Sequence, residues 1–490
     1  MDYFCYFGIN WPCNTKSQVT IKGIVNLLSL DFLKGQKVAV YGLGRSGLSV
    51  ALALKSSGAI PLCWDDSIYS RKVAESFDLI IKDMTLKKNW IDCVLLLLSP
   101  GIPYIYPTAT KVVQQAWRHN VPVDNDVGLF FKSYLLESND QKIKEANTIA
   151  VTGSNGKSTT SSLIHHLLNQ KRGPAQIGGN IGTPLFDLKP ASLMSTTVIE
   201  LSSYQIEVAN LLNPKIAVFL NFSEDHLDRH AGVGGYFAAK RRLFSGVKDQ
   251  VSIVGVDEKE GRAIVNDLLS NTTGTVITIS NKTRLDNADW SVFSDGTYLF
   301  ECKLGTIINE FNISNIPGLM GAHNLQNVCA AYAVCRVLQV GVNDIINTLK
   351  SYHSLPHRIE IISTLNGVTF VNDSKATNAV STLHALKTFS NIHWIAGGRE
   401  KDDGIHSLID HLHTVKKAYL IGESAVNFSN QLGDFSHTIF ESMEAAVSAA
   451  FKDAKAGDVI LLSPAAASFD KYSNFEERGI HFSQLVKHLE

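Results

Sequence analysis

The sequence predicts an α/β protein of three domains, and three observations carry this prediction. The chain has 490 residues, and at roughly 150 residues per domain that length suggests about three units. Strand-like and helix-like segments alternate along most of the chain, which is typical of parallel sheets flanked by helices. Two glycine-rich loops, each placed between a strand and a helix, open two separate units, and the alternation restarts after residue 358.

The composition excludes several classes of protein. Lys and Arg number 45 against 46 Asp and Glu, a net charge of −1, so no overall field attracts nucleic acid or an anionic membrane. The tight apolar runs, such as residues 94–98, are far shorter than the ~18 residues of a bilayer span. We therefore expect neither a nucleic-acid partner nor a membrane span.

The cysteines and the first residues indicate the compartment. Seven cysteines are scattered without a CxxC pair, which favours reduced thiols over a zinc site or a disulfide framework. The first residues show neither the basic start nor the continuous apolar stretch of a secretory signal. The expected location is the cytoplasm, and the expected state is a monomer.

Residues 1–35 read as an irregular N-terminal extension, and residues 36–122 as a Rossmann-like domain. A short apolar strand at 37–41 leads into a GxGxxG loop at 42–47 and then a helix at 48–55, with Asp65-Asp66 after the next strand. This is the opening of a dinucleotide-type βαβ unit. The loop alone leaves three readings open: it binds NAD, it binds another diphosphate, or it binds nothing.

Residues 123–355 form the predicted central domain, a parallel sheet like those of P-loop ATPases. An apolar strand at 148–151 runs into GSNGKST at 153–159, a phosphate loop with two residues between its glycines where the common pattern has four. Lys157 would meet the β- and γ-phosphates of ATP, and Ser158 would bind Mg²⁺. The alternative is a glycine-rich turn with a solvated lysine. Residues 251–313 carry short Val/Ile/Thr strands and predict a small antiparallel flap.

Two further strand ends in this domain carry acidic and imidazole side chains. Glu200 follows one predicted strand, and His226 follows another. Because parallel strands place ligands at their carboxyl ends, these two residues suit a second divalent metal. The other polar residues of the second loop read more simply as solvated; they are Glu224, Asp225, Asp228 and His230. Lys240, next to two arginines on a helical stretch, reads by itself as an exposed basic face.

Residues 356–490 predict a second Rossmann-like domain after a linker at 355–357. Polar loops at 372–378, 397–401 and 463–470 each follow a predicted strand. Three such loops imply a binding edge that faces the phosphate loop. Two nucleotide-type loops in one chain are awkward for a dehydrogenase, but they suit an ATP-using enzyme whose substrate carries its own nucleotide diphosphate.

Several motifs in consistent order over residues 35–490 resemble the ATP-dependent Mur ligases of peptidoglycan synthesis, and most closely their D-glutamate-adding branch. The motifs are GSNGKST, GGNIG, ELSSYQ, EDHLDRH, GAHNLQN, LPHRIE, NDSKATN, AGGREKD and SPAAASFDKYSNFEERG. The resemblance implies that ATP, Mg²⁺ in two positions, UDP-N-acetylmuramoyl-L-alanine and D-glutamate are the ligands. It also implies amide formation through an acyl phosphate, with release of ADP and phosphate.

The resemblance assigns roles to individual residues. The catalytic set is Lys157, His226 and Lys240, the last as a carbamate. The ATP set is Gly153, Ser154, Asn155, Gly156, Lys157, Ser158, Thr159, Asn324, Asn327, Arg358, Asp373 and Lys375. The metal ligands are Ser158, Glu200, His226 and carbamylated Lys240. The UDP-sugar set is Arg45, Ser46, Asp65, Ser67, Gly101, Asn180, Ser202 and Gln205. The D-glutamate set is Thr377, Lys401, Ser468, Phe469 and Phe475.

Two other functions stay open at this stage. A sister amide ligase that adds another amino acid, or a folylpolyglutamate synthetase, shares the phosphate loop; the loop at 468–475 and the UDP-type first domain argue against both. A non-catalytic nucleotide-dependent switch would need the phosphate loop but no amino-acid pocket.

Overall fold

The structure is a computed structural model that describes most of the chain. The described residues are 28, 30–136, 147–190, 195–225, 227–244, 249–271, 273–282, 284, 288–313, 316, 319, 323–353, 355–400 and 404–489. Within them, three sheets of five, nine and six strands follow one another along the chain. The predicted α/β class is confirmed. No helix in the described part of the chain is long and apolar enough to cross a bilayer.

The N-terminal sheet is entirely parallel, with strand order β3-β2-β1-β4-β5. The strands are β1 Lys37–Tyr41, β2 Ile60–Trp64, β3 Ile80–Ile81, β4 Cys93–Leu98 and β5 Val123–Asp124, and the helices are α1 Arg45–Ser56, α2 Ile68–Glu75, α3 Lys111–Arg118 and α4 Asp126–Leu136. From the predicted N-terminal extension, Leu28, Leu30 and Leu33 are buried in this unit's apolar core. Residues 1–27 of that extension lie outside the described residues.

The central sheet has the order β14-β13-β12-β11-β10-β9-β6-β8-β7. Its strands are β6 Asn147–Thr152, β7 Ala175–Gly179, β8 Thr196–Glu200, β9 Ile216–Phe219, β10 Val251–Gly255, β11 Val276–Ser280, β12 Trp290–Ser294, β13 Tyr298–Lys303 and β14 Thr306–Asn312. Its helices are α5 Lys157–Lys171, α6 Ser203–Val208, α7 Val233–Arg241, α8 Lys259–Asn271, α9 His323–Val337 and α10 Val342–Leu349.

The predicted flap at 251–313 is too long. β10, β11 and β12 pair in parallel and extend the main sheet, and only β13 and β14 add antiparallel pairs at its edge. The prediction failed for β10 and β11 because short β-branched runs occur both in buried parallel strands and in antiparallel flaps, so composition does not distinguish the two. α8, between those two strands, makes the parallel crossover possible.

The C-terminal sheet has the order β15-β16-β20-β17-β18-β19 and is parallel except for the β15–β16 pair. Its strands are β15 Glu360–Leu365, β16 Val368–Asn372, β17 Ile392–Gly397, β18 Val415–Ile421, β19 His437–Ile439 and β20 Val459–Leu462. Its helices are α11 Ala379–Thr388, α12 Ala425–Leu432, α13 Met443–Asp453 and α14 Phe475–Lys487. Side chains of Asn378, Ser442 and Asn474 accept backbone N–H groups at the starts of α11, α13 and α14, which fixes where these helices begin.

The N-terminal and central units are joined by apolar packing. One core cluster contains Leu54 of α1, Phe130 of α4 and Ile199 of β8, all essentially inaccessible to solvent. Burial of apolar side chains across this junction is the principal force that holds the two units in register. The boundary near residue 122 remains a prediction; β5, which pairs with β4 in the N-terminal sheet, begins just beyond it at Val123.

Candidate active site

The phosphate loop lies between the central strand β6 and the start of α5. Gly153 and Gly156 both have positive φ, at 155° and 80°. A Cβ on Gly156 would lie 2.2 Å from Oδ1 of Asn327, closer than any real contact. Glycine is therefore required here both by the backbone conformation and by the close approach of α9. The loop leaves the amino end of α5 facing a cleft, where backbone N–H groups and the helix dipole favour an anion.

Two residues that the sequence analysis left out hold this loop in place. The Asn155 N–H donates to Oδ1 of Asn221 at 2.9 Å, and the Ser154 N–H donates to the Asn221 carbonyl at 3.0 Å. The Ser154 hydroxyl donates to the Ser223 carbonyl at 2.9 Å. Both partners follow β9, the strand next to β6, and the sequence offered only their place at a strand end as a signal.

Two lysines converge on one carbonyl of the loop. Nζ of Lys157 donates to the Gly153 and Ser154 carbonyls at 3.0 and 2.8 Å, and Nζ of Lys240 donates to the same Gly153 carbonyl at 2.8 Å. Burial lowers the pKa of both ammonium groups, and for Lys240 the nearby Lys157 charge lowers it further.

Lys240 is therefore no part of a solvated face. It is 1% exposed and lies 4.6 Å from the centre of the Tyr236 ring. The exposed-face reading is wrong because α7 turns this side chain into the interior, whereas its neighbour Arg241 is half exposed and pairs with Asp267.

Glu200 has the properties of a metal ligand. Its carboxylate is 1% exposed; Oε1 accepts from Nδ2 of Asn180 at 2.7 Å, and Oε2 is buried without a partner among the described residues. A buried carboxylate oxygen left unpaired is costly unless a cation takes it. With the Ser158 hydroxyl at the start of α5, Glu200 provides the hard oxygen ligands that Mg²⁺ prefers, so the site fits this ion.

The remaining proposed metal ligand lies outside the described part of the chain. His226 is not among the described residues. Within the described residues, no cluster of three His, Cys, Asp or Glu side chains forms a metal site.

Arg358 brings the C-terminal unit onto the phosphate loop. Its Nη2 donates to the Ser158 hydroxyl at 2.7 Å, and burial lowers the pKa of its guanidinium while Glu200 opposes that effect. Asp373 lies close by, at the end of β16, and accepts from the Ser463 hydroxyl at 2.8 Å. Burial raises the pKa of Asp373 to about 7.

The predicted amino-acid loops meet beside Arg358. Nζ of Lys375 lies 3.7 Å from the centre of the Phe475 ring, and burial lowers the pKa of this lysine to about 8. Arg478, which the sequence analysis did not single out, donates to the Ser374 and Ala466 carbonyls and thereby ties the loops after β16 and β20 together. In the sequence, only its place at the end of the motif SPAAASFDKYSNFEERG pointed to Arg478.

The other predicted D-glutamate residues differ in their surroundings. Ser468 is buried, whereas Phe469 is 62% exposed and turned to solvent. The Thr377 N–H donates to the Lys375 carbonyl at 2.8 Å, which forms a tight turn beside Phe475. Lys401 lies outside the described residues.

These elements enclose one cleft of about 650 Å³ between the central and C-terminal units. Its lining contains predicted ATP residues from both units, namely Asn155, Gly156, Thr159, Asn324, Asn327, Arg358, Asp373 and Lys375. Asn327 also accepts from the Thr160 hydroxyl and donates to Asn324, so α9 is locked against α5. A cleft of this size suits a nucleotide.

The GxGxxG loop lines a second cleft, in the N-terminal unit. The predicted residues that line it are Arg45, Ser46, Asp65 and Gly101. Arg45 Nη2 donates to the Gly182 carbonyl of the central unit at 2.7 Å. Oδ2 of Asp65 accepts the Leu43 N–H at 2.6 Å, so this carboxylate holds the glycine loop in shape.

Four other residues of the predicted UDP-sugar set make local contacts. Ser67 caps α2, and Ser202 and Gln205 form a reciprocal capping box at the start of α6. Asn180 binds Glu200 and so lies on the phosphate side of the central sheet. The structure thus brings four members of the set to the cleft. The other four, Ser67, Ser202, Gln205 and Asn180, are bound to helix starts or to Glu200.

His230 is a core residue and not a solvated one. It is 2% exposed, its ring stacks on Tyr204 at 5.3 Å between centroids, and its Nε2 shares a 2.9 Å hydrogen bond with the Ser203 hydroxyl. The solvated-loop reading fails because the polar loop turns back under α6, which the sequence spacing does not reveal.

Comparison with known proteins places the chain in a family. The Mur ligase middle domain matches residues 151–335, and the Mur ligase, glutamate ligase domain matches residues 357–466. The chain is 49% identical to UDP-N-acetylmuramoylalanine--D-glutamate ligase of Cereibacter sphaeroides over 93% of this chain and 98% of that protein. It is 46% identical to the protein of the same name from Roseobacter denitrificans over 94% and 99%.

Solved structures show the same fold at low identity. The UDP-N-acetylmuramate-alanine ligase of Thermotoga maritima has a TM-score of 0.58 at 15% identity, covering 93% of this chain and 100% of that one. The UDP-N-acetylmuramoylalanyl-D-glutamyl-2,6-diaminopimelate--D-alanyl-D-alanyl ligase of Acinetobacter baumannii has a TM-score of 0.56 at 18% identity, covering 74% and 79%. With both domain matches and the near-full-length relatives, the chain belongs to the Mur ligase family.

Proposed function

We propose that the protein joins D-glutamate to UDP-N-acetylmuramoyl-L-alanine at the expense of ATP, releasing ADP and phosphate. The proposal rests first on relatives of 46–49% identity that carry the name of this ligase over nearly their whole length. Within the molecule it rests on one observation: Arg358 of the C-terminal unit reaches the Ser158 hydroxyl of the phosphate loop at 2.7 Å. The loops of the two units are thus close enough to serve a single reaction.

The chemistry requires a carboxylate to become an electrophile. A terminal carboxylate oxygen of the L-alanyl group attacks the γ-phosphorus of ATP, the bond from γ-phosphorus to the bridging oxygen breaks, and ADP leaves. The amine of D-glutamate then attacks the carbonyl carbon of the acyl phosphate and loses a proton, and inorganic phosphate departs as the amide forms. Positioning and charge compensation supply most of the catalysis in such phosphoryl transfers.

The basic residues around the phosphate loop suit the first step. Lys157 and Arg358 are both partly buried beside it and carry positive charge to the place where the phosphates would lie. Mg²⁺, held by Ser158 and Glu200, would screen the phosphate charges. Lys157 donates to two loop carbonyls, and exchanging these for phosphate oxygens requires only a rotation of its flexible side chain.

A carbamate on Lys240 is part of the proposal. Carbon dioxide reacts with the neutral amine, and burial lowers the pKa of Lys240, which favours that form. The product would be an anionic oxygen ligand in the same buried space as Glu200. It would also place a negative charge beside Lys157, which shares the Gly153 carbonyl with Lys240.

For D-glutamate we propose the residues that the resemblance assigns, namely Thr377, Lys401, Ser468, Phe469 and Phe475. An ammonium group and a hydroxyl pair with the two carboxylates, and the phenyl ring forms an apolar wall. Lys375, which the resemblance assigned to ATP, lies on the Phe475 ring and so faces both ligands.

For the UDP-sugar we propose the N-terminal cleft, with Arg45 and Ser46 at the diphosphate and Asp65, Ser67 and Gly101 on the uracil side. The GxGxxG loop would then hold a substrate and not a redox cofactor. Asn180, Ser202 and Gln205 would face the sugar. A cytoplasmic monomer remains our expectation for the working enzyme.

One assay separates this function from its alternatives. Protein, ATP, Mg²⁺ and UDP-N-acetylmuramoyl-L-alanine are incubated with D-glutamate, L-glutamate, L-alanine, D-alanine or diaminopimelate, and phosphate release is measured. We expect release above background only with D-glutamate. Release with a different amino acid would indicate a sister ligase, and release that needs neither the UDP-sugar nor an amino acid would indicate a nucleotide-dependent switch.

A further inference from the structure

The side chain of Arg229 extends from the central unit to the N-terminal cleft. It ends the 3₁₀ turn Leu227–Arg229, directly after the loop of the proposed metal ligand His226. Its Nη1 donates to the Gly101 carbonyl and its Nη2 to the Ile102 carbonyl, each at 3.2 Å. Gly101 and Ile102 line the N-terminal cleft, and none of the roles assigned above includes Arg229.

The guanidinium is held on an aromatic stack. Its central carbon lies 4.5 Å from the centre of the Tyr204 ring, and that ring stacks on His230 with an interplanar angle of 14°. His230 in turn shares a hydrogen bond with the Ser203 hydroxyl. An arginine over an aromatic face retains its charge while losing rotational freedom, so its two hydrogen bonds are made from a preset orientation.

The segment that Arg229 holds is in contact with the glycine loop. The Ser99 hydroxyl donates to the Gly42 carbonyl at 2.8 Å, and the Ile102 N–H donates to the Ser99 carbonyl at 3.0 Å. Residues 99–102 therefore form one wall of the cleft, beside the glycine loop. With Arg229 removed, this wall would lose its hydrogen bonds to the central unit.

We propose that Arg229 is a positioning residue for the UDP-sugar: from the central unit it fixes the 99–102 wall, and so sets the shape of the N-terminal cleft. The inference rests on the proposed function, since it takes the UDP-sugar as the ligand of this cleft. Arg229 acts through the wall, so its loss weakens binding of that one substrate and leaves ATP binding in place.

Isothermal titration calorimetry with UDP-N-acetylmuramoyl-L-alanine tests this on the unaltered protein, Arg229→Ala, Arg229→Lys and the control Arg241→Ala. We expect Kd to rise about tenfold or more for Arg229→Ala, because two charge-assisted hydrogen bonds are lost. Arg229→Lys should give a smaller rise, since one ammonium on a flexible stem replaces the planar fork. Arg241→Ala should match the unaltered protein, because Arg241 pairs with Asp267.

Steady-state kinetics then separates positioning from general damage. KM for the UDP-sugar should rise in the Arg229 variants, while KM for ATP stays within about twofold and thermal melting shows a folded protein. A Kd for the UDP-sugar within twofold of the unaltered value in both Arg229 variants would overturn the inference, as would an equal rise in KM for ATP. Absence of UDP-sugar binding by the unaltered protein would overturn the proposed substrate itself.

Discussion

The two glycine-rich loops of this protein look alike in sequence but differ in what surrounds them. The loop at 153–156 has Lys157 and Lys240 directed at one of its own carbonyls, with the buried carboxylate of Glu200 nearby. The GxGxxG loop has Asp65 bound to its backbone and Arg45 engaged with the neighbouring unit. Two lysines whose pKa values are lowered, next to a buried acid, suit charge that changes during a reaction. A loop held by a carboxylate suits a ligand that only has to be bound.

The largest effect that would sharpen this comparison is expected from Lys157→Ala. Loss of a positive charge at the transferring phosphoryl group should lower kcat by about 1,000-fold. Phosphate release under saturating substrates measures it, and Lys171→Ala, on the outer part of the same helix, is the matched control. Near-normal turnover in Lys157→Ala would remove the phosphate loop from the chemistry.

Lys240→Ala should cost about 100-fold in activity, because it removes a group that orders the metal side of the site. Formate or acetate should restore part of the activity if a carbamate oxygen is what is missing. Loss without rescue would argue against the carbamate, and unaltered activity would return Lys240 to a purely structural role.

A comparison of Gly156→Ala with Gly44→Ala contrasts one tightly packed position of the first loop with one open position of the second. At Gly156 an added methyl would meet Asn327 at 2.2 Å and the backbone has φ of +80°, so KM for ATP should rise by about tenfold or more. At Gly44 nothing lies within 4 Å of the added methyl and φ is −69°. The Gly44 variant should therefore melt within about 2 °C of the unaltered protein. If both variants lowered the melting temperature by the same amount, the difference in packing around the two glycines would be contradicted.

The smallest expected effect concerns pH. Burial raises the folded-state pKa of Asp373 to about 7, above its unfolded value of about 4. Its contribution to stability is therefore present below about pH 4 and is lost as pH rises through 7. Asp373→Asn cannot ionise, so its melting temperature should fall less between pH 5 and 8 than that of the unaltered protein. If the melting temperatures of the two proteins fall equally between pH 5 and pH 8, Asp373 is already ionised at pH 5.

The sequence predicted local features better than contacts between distant segments. The strand-loop-helix placement of residues 153–156, strands such as Cys93–Leu98 and the α/β class follow from local spacing and are confirmed. The burial of Lys240 and His230 could not be read from spacing, because it depends on contacts with distant segments: Lys240 with Gly153, and His230 with Tyr204. The flap at 251–313 was overestimated for the same reason, since pairing partners and not composition decide whether a strand is parallel.

The resemblance supplied residue types for the sites, but the structure determines which of them are engaged. Ser202 and Gln205 form a capping box, and Asn180 binds Glu200. Asn221, Ser223 and Arg478 hold the loops and had no motif of their own in the sequence analysis. Positioning residues of this kind become visible only when neighbouring strands are assembled into a sheet.

The central claim is that the loop at 153–156 serves the reaction and the GxGxxG loop serves substrate binding. Calorimetric titration of UDP-N-acetylmuramoyl-L-alanine into Lys157→Ala tests it directly. Because the proposed binding cleft belongs to the N-terminal unit, Kd should stay within about threefold of the unaltered protein even though turnover is lost. A loss of UDP-sugar binding as large as the loss of turnover would contradict the account, since one loop would then serve both binding and chemistry.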